Sequence, residues 1–161
     1  MIRYARADDR SAIAEVSTLA FGQPDEARLI ERLRADGDVL FELVSEVEGR
    51  IVGHILFSRL WADRYEMFAA LAPMAVHPDR QRSGLGSALV RAGLDSAREF
   101  GAHGVLVLGH PAYYPRFGFA AETAAKVSAP YAGSKAFMAI ALEDGAFDAP
   151  LSVAYPDAFS G

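Results

Sequence analysis

The chain has 161 residues and no cysteine, with 16 basic against 21 acidic side chains and a net charge of −5. That length suffices to bury a core and fits one domain over residues 1–161, and a composition of 52% hydrophobic and 23% charged residues excludes a disordered chain. The missing thiols exclude disulfides, thiolate metal sites and a cysteine nucleophile, and fit a cytoplasmic protein; the acidic balance speaks against nucleic acid as a partner.

Ile2–Ala5 reads as a short opening strand. Asp8-Asp9 resembles a cap before a helix through Ala12, Ile13, Val16, Leu19 and Ala20, which Gly22-Gln23-Pro24 breaks. A second helix is predicted over Asp25–Ala35, with Ala27, Leu29, Ile30 and Leu33 as its apolar positions and Gly37 as its stop. Val39–Val47 and Ile51–Leu60 read as a hairpin across the tight turn Glu48-Gly49-Arg50. Met67–Val76 is a further strand. Pro73 within it gives the ladder no N–H and so marks a bulge or an edge. The Gly84–Phe100 helix places Leu85, Ala88, Leu89, Ala92 and Phe100 near one face, with a polar stripe of Ser87, Arg91, Asp95 and Arg98.

Val105–Leu108 is a short, wholly apolar run, as a buried central strand requires. Ala112–Arg116 reads as one helical turn, Ala136–Leu142 as a late strand, and the chain after Asp144 is weakly patterned. This order implies an α/β (or α+β) domain with a mixed, mostly antiparallel sheet flanked by helices. No apolar run approaches the roughly 18 residues that span a bilayer, and Met1–Asp9 has no apolar leader core, so neither a membrane partner nor a secretory signal is expected. His54, His77, His103 and His110 include no pair at metal-ligand helical spacing, so no metal is expected.

The most informative stretch is Gln81-Arg82-Ser83-Gly84-Leu85-Gly86, between an apolar strand and an amphipathic helix. The first N–H groups of a helix have no intrahelical partner, and the helix dipole adds partial positive charge there, so such a turn suits a phosphate or pyrophosphate. Arg80 and Arg82 flank it and complement that charge. The turn lacks the Gly-Lys-Ser/Thr of a nucleotide-triphosphate loop. It also lacks the third glycine and downstream acid of a dinucleotide fold. On the turn alone, an anion site and a ligand-free helix start are equally open.

Val76-His77-Pro78-Asp79-Arg80-Gln81-Arg82-Ser83-Gly84-Leu85-Gly86-Ser87-Ala88-Leu89 closely resembles the acetyl-CoA signature of the GNAT N-acetyltransferases. A second block, Tyr114-Pro115-Arg116-Phe117-Gly118-Phe119, looks like that family's Tyr-x-x-x-Gly-Phe at the expected distance. Gly109-His110-Pro111-Ala112-Tyr113-Tyr114, Glu26–Arg34 and Gly53–Ser58 further resemble a YhbS-like bacterial subgroup. The resemblance runs from about Ile2 to Leu142 and implies the GNAT acyl-CoA N-acyltransferase fold. It departs at Val107, where many relatives carry an Asn seven residues before the tyrosine.

The resemblance implies that Met74, Ala75 and Val76 lend backbone groups to the pantetheine arm of acetyl-CoA, which binds like an added strand. Arg82, Ser83, Gly84, Leu85, Gly86 and Ser87 would surround its pyrophosphate, the two glycines allowing close backbone approach. Tyr114 would protonate the departing thiolate, a role for which a phenol with a pKa of about 10 is suited; Tyr113 competes with it, and register to Gly118-Phe119 favours Tyr114. The general base is less specified. His110, Glu42, Glu66 and water are the candidates, with a structural histidine or surface glutamates as the plain alternative.

His54 and Ser58 share a strand face and, with Phe21, Trp61 and Tyr65, are candidates to line the acceptor pocket or simply to pack. The expected activity is acetyl transfer from acetyl-CoA to a primary amine, a small molecule ahead of a protein N-terminus or lysine. A non-catalytic acyl-CoA-binding module and a nucleotide-binding protein are the rivals. Sheet-edge pairing through the C-terminal strands offers a route to a homodimer.

Overall fold

A computed structural model describes residues Met1–Ser160. In chain order the elements are β1 (Ile2–Tyr4), α1 (Arg10–Phe21), α2 (Asp25–Ala35), β2 (Val39–Val47), β3 (Arg50–Arg59), β4 (Trp61–Ala62), β5 (Phe68–Val76), α3 (Leu85–Glu99), β6 (Gly104–Leu108), β7 (Val127–Ser128), β8 (Phe137–Ala141) and β9 (Leu151–Ala154). Single 3-10 turns occur at Ala7–Asp9, Pro78–Arg80, Tyr114–Phe117 and Asp157–Ser160. The main sheet has the order β1-β2-β3-β5-β6-β8, and a small sheet has the order β4-β9-β7. In the main sheet every pair is antiparallel except β5 with β6, as the mixed, mostly antiparallel expectation required.

The two faces of the main sheet are covered differently. On one, α1 and α2 bury Ile13, Ile30 and Leu33 against Val44 and Leu56. Leu56 and Ser58 share a side of β3, and Ser58 pairs with Ala70, which pairs with Leu106; the small sheet therefore caps this same face, over Phe68, Ala70, Leu106 and Ala139. On the other face α3 packs Leu89, Val90 and Leu94 against Phe57, Leu71 and Val105.

The buried residues of α3 are Leu89, Val90, Gly93, Leu94, Ser96 and Ala97. The apolar stripe read from the sequence is thus corrected. Ala88 and Phe100 face solvent, because the seam follows Val90–Gly93–Leu94–Ala97 rather than the neighbouring row.

One further expectation changes. The weakly patterned tail contributes β9 and a final turn that packs against α2. Of the C-terminal strands, β9 lies between β4 and β7, and β8 is engaged on its outer side at Ala139, which exchanges two 3.0 Å hydrogen bonds with Ala120.

The sheet opens at one place. β5 and β6 pair only from Phe68↔Gly104 to Leu71↔Val107. Beyond that, β5 stays with β3 as far as Val76↔Gly53, and β6 stays with β8 as far as Leu108↔Phe137. The ladder of β3 with β5 shifts register between Ile55↔Met74 and Phe57↔Leu71, so the bulge falls at Ala72-Pro73. Pro73 therefore sits at an interior bulge where one neighbour leaves, and its missing N–H costs no ladder bond there.

Candidate functional site

The opening between β5 and β6 is the floor of the site. Backbone groups alternate sides along a strand. His77 N–H donates to Val52 O at 2.8 Å, toward β3. The Val76 peptide groups therefore face the gap, those of Ala75 face β3, and those of Met74 face the gap. Of the three residues expected to offer backbone groups, two turn toward the opening. Ala75 lines the groove but directs its own N–H and C=O into the sheet. The Val76 carbonyl already accepts a 3.0 Å hydrogen bond from the Gln81 side-chain amide, so its N–H is the group left free.

At the far end of the gap the chain makes the turn that opens α3. Arg82 and Gly84 both have left-handed backbone, with φ of 62° and 86°, which aims successive amides into one concavity. Ser83 Oγ donates to the Arg80 carbonyl and braces the turn. The first bond of α3 is Ala88 N–H to Gly84 O at 3.0 Å. The amides from Arg82 to Ser87 have no acceptor among the described residues, so the turn presents a row of free donors at the positive end of a helix.

At Gly86 a Cβ would lie 3.2 Å from the Tyr113 hydroxyl and 3.6 Å from both Met74 and Val76; any side chain there projects into the groove. This groove, of about 530 Å³, is also bordered by Arg80, Arg82 and Arg116. Arg116 is a residue that sequence reasoning missed. It is held over the Tyr113 ring at 4.5 Å and donates to the Tyr113 carbonyl at 2.9 Å, and its only sequence signal is its place inside the tyrosine motif.

Past Phe21, Met74 and Tyr113, which line both, the groove meets a second cavity of about 510 Å³. His110 organises the junction through its backbone: its carbonyl accepts from the Tyr113 and Tyr114 amides at 3.0 and 3.3 Å. The two tyrosines then point apart. Tyr113 reaches Ser87 Oγ at 3.2 Å on the groove side. Tyr114 is buried, edge-on to Tyr113 at 5.1 Å and to Phe119 at 5.7 Å, and lines only the second cavity. Burial, with a smaller contribution from Tyr113, pushes the Tyr114 phenol up to about 12, so it stays protonated throughout the neutral range.

The other candidates separate cleanly. His110 is exposed and lines the second cavity, as does Phe21. Trp61 lies under the Arg59 guanidinium, Tyr65 is fully exposed, and neither lines either cavity. His54 and Ser58 are buried against the α1–α2 layer and line neither cavity. Glu66 lies outside both as well. Val107 is buried in the α3-side core between Leu71 and Met138, where it makes an apolar contact.

Glu42 is neither a surface glutamate nor a base at the site. Its carboxylate accepts from His54 Nε2 at 2.8 Å and from Arg34 Nε and Nη2 at 2.9 and 2.7 Å. Burial alone would raise its pKa, but the hydrogen bonds from His54 and Arg34 outweigh it and hold the group at about 2. Sequence missed this cluster because α2, β2 and β3 each contribute one member.

Residues 10–119 match the model of the acetyltransferase (GNAT) family. The uncharacterized N-acetyltransferase YjhQ of Escherichia coli K12 is 44% identical over 117 residues, which are 69% of this chain and 64% of that protein. The uncharacterized N-acetyltransferase YhbS of the same strain is 36% identical over 121 residues, 74% of this chain and 72% of its own length. The chain therefore spans just under two thirds of YjhQ. The crystal structure of E. coli YhbS in complex with CoA superposes with a TM-score of 0.92 at 32% identity, covering 100% of this chain and 92% of that one. A GNAT family acetyltransferase from Brucella melitensis in complex with acetyl-CoA gives 0.79 at 31%, covering 99% and 97%. The family match over most of the chain, these relatives and the shared fold make the protein a member of the GNAT acetyltransferase family.

Proposed function

We propose that the protein transfers the acetyl group of acetyl-CoA to a primary amine of a small-molecule acceptor by direct attack. The carrying observation is one continuous path. An arginine-bordered row of free amides at the α3 turn leads along the open edge of β5 to two tyrosines and a second cavity. The solved YhbS and Brucella relatives, with CoA and acetyl-CoA, support the same donor. The amides of Arg82, Ser83, Gly84, Leu85, Gly86 and Ser87, with Arg80 and Arg116, would take the pyrophosphate. The outward groups of Met74 and Val76 would take the pantetheine arm, and an N–H on this edge would hold the carbonyl oxygen as charge develops on it.

A C–N bond forms, the C–S bond breaks, and the proton shed by nitrogen ends on sulfur. Tyr114 stands on the acceptor side of the junction as the proton donor. A phenol at about 12 giving its proton outright to a thiolate whose acid lies near 8.5 is uphill by about 5 kcal/mol. Tyr114 therefore donates as the C–S bond opens and is reprotonated by the nitrogen's proton in the same passage. His110, facing the second cavity, or water would relay that proton from nitrogen to the Tyr114 oxygen. No helix among the described residues is long and apolar enough to cross a membrane, and the cysteine-free composition suits action in the cytoplasm.

Tyr114→Phe tests the assignment. Thiol release should fall about 100-fold in kcat, with the Kd for acetyl-CoA changed less than about threefold, since Tyr114 does not line the groove. An unchanged kcat removes Tyr114 from the mechanism.

A further inference from the structure

Resting on that acetyl-transfer reading, we infer that the second cavity selects a compact primary amine with an aromatic or similarly flat apolar body. Phe21, Tyr113, Tyr114, Tyr131, Tyr155 and Phe159 line it, and much of the remaining wall is aliphatic. Tyr155 stands edge-on to Tyr131 at 5.1 Å and to Phe159 at 5.6 Å, an arrangement that braces aromatic rings against one another. Aromatic faces favour a flat apolar group and also attract an ammonium.

The charges are as selective as the rings. Among the described residues, Glu26 is the one carboxylate in the wall and His110 the one imidazole, and no Lys or Arg lines the cavity. One carboxylate, steadied by Gln23 at 3.2 and 3.3 Å, matches one ammonium. A polyamine would bring further ammonium groups with no anion to meet them, and an amino sugar would bury hydroxyls against hydrocarbon, each at a desolvation cost. An acidic metabolite would face Glu26 with no cation in reach. A long acyl chain would leave Glu26 and His110 against hydrocarbon. Tyr131, Tyr155 and Phe159 lie beyond residue 119, where the family match ends, and they complete a wall whose charged and remaining aromatic members, Glu26, His110, Phe21, Tyr113 and Tyr114, lie within it.

The test measures thiol release from acetyl-CoA with phenethylamine and tryptamine against ethanolamine, spermidine and glucosamine. Calorimetry of phenethylamine with the protein–CoA complex runs in parallel. kcat/KM for phenethylamine should exceed that for ethanolamine about 50-fold, the fold-change expected from burying a phenyl ring. Glu26→Gln should raise the amine KM roughly tenfold, the difference between a charge-assisted and a neutral hydrogen bond, without changing the KM for acetyl-CoA. Leu108→Arg alters a half-exposed position at the cavity wall and should weaken phenethylamine binding without lowering Tm.

Equal use of ethanolamine or spermidine, a preference for hexanoyl-CoA over acetyl-CoA, or no phenethylamine binding to the CoA complex would overturn the inference. If acetyl-CoA itself fails to bind, the proposed function falls. Phenethylamine binding to the free protein, weakened by Leu108→Arg, then still decides what the cavity takes.

Discussion

Glu42→Gln separates a structural carboxylate from a catalytic one. The side chains of Arg34 and Glu42 are only 10% and 11% exposed, and that of His54 is fully buried. Glutamine preserves the volume but removes the charge that both nitrogen partners address, and its own N–H₂ must face one of them. Breaking a buried pair from one side costs about 3–5 kcal/mol. Arg34 keeps its contact with Glu31, a half-exposed partner, so a loss of about 2–4 kcal/mol is expected at neutral pH. At about 2–4 °C per kcal/mol for a chain of this size, Tm should fall by about 5–15 °C. Thermal and urea unfolding followed by circular dichroism measure both.

The pH dependence has a definite sign. Burial lowers the His54 pKa against the opposing pull of Glu42. The unfolded chain thus takes up this proton at higher pH than the folded one. Stability falls as pH drops below about 6.5, by up to about 1.4 kcal/mol per pH unit. Glu42, depressed to about 2 in the fold, adds a second loss as pH falls below its ordinary value near 4.5, which Glu42→Gln abolishes. The kcat of the folded variant should stay within about twofold of wild type, because Glu42 lines neither cavity of the site. A stability loss below about 1 kcal/mol refutes the buried network, and a kcat loss above about 100-fold refutes the exclusion of Glu42 as base.

Two further outcomes test the donor groove and the core that holds it. Gly86→Val should raise the acetyl-CoA Kd at least about tenfold by calorimetry, since its methyls enter the space between Met74, Val76 and Tyr113; an unchanged Kd places the cofactor arm elsewhere. Leu89→Ala removes a fully buried side chain where α3 meets β3 and should cost about 3 kcal/mol in urea unfolding. A loss under about 1 kcal/mol would mean that α3 is not seated as described.

The elements with strong local signals were legible. Asp25–Ala35 and Val39–Val47 have the bounds that the apolar spacing and turn residues predicted, because helix stops and hairpin turns are decided within a few residues. The Gln81–Gly86 turn was legible as the opening of a helix for the same reason: α3 starts at Leu85, directly after Gly84. β4, β7 and β9 were not. Two- and four-residue strands have no periodicity of their own and exist only because Trp61-Ala62 and Val127-Ser128 find Leu151–Ala154. Nor does Pro73 say by itself that β6 leaves β5 at Leu71, which depends on β6 continuing with β8.

The same physical division separates the two halves of the site. The proposed donor half sits on one continuous stretch, from Met74 to Ser87, where a strand edge, a left-handed turn and a helix start are consecutive in the chain. Pyrophosphate recognition by backbone amides depends on that local geometry, so it is written in local sequence. The proposed acceptor half is assembled from Phe21 and Glu26 at the α1–α2 corner, from Leu108–His110 with Tyr113 and Tyr114, and from Tyr131, Tyr155 and Phe159. Each of these reads alone as a packing aromatic or a surface acid. Only the packing of the last turn against α2, and of Tyr131 against Tyr155, gathers them around one carboxylate. On the proposed function, a change of acceptor would therefore fall on the tail, the α1–α2 corner and Leu108–His110, while the Met74–Ser87 stretch would stay constrained by the donor.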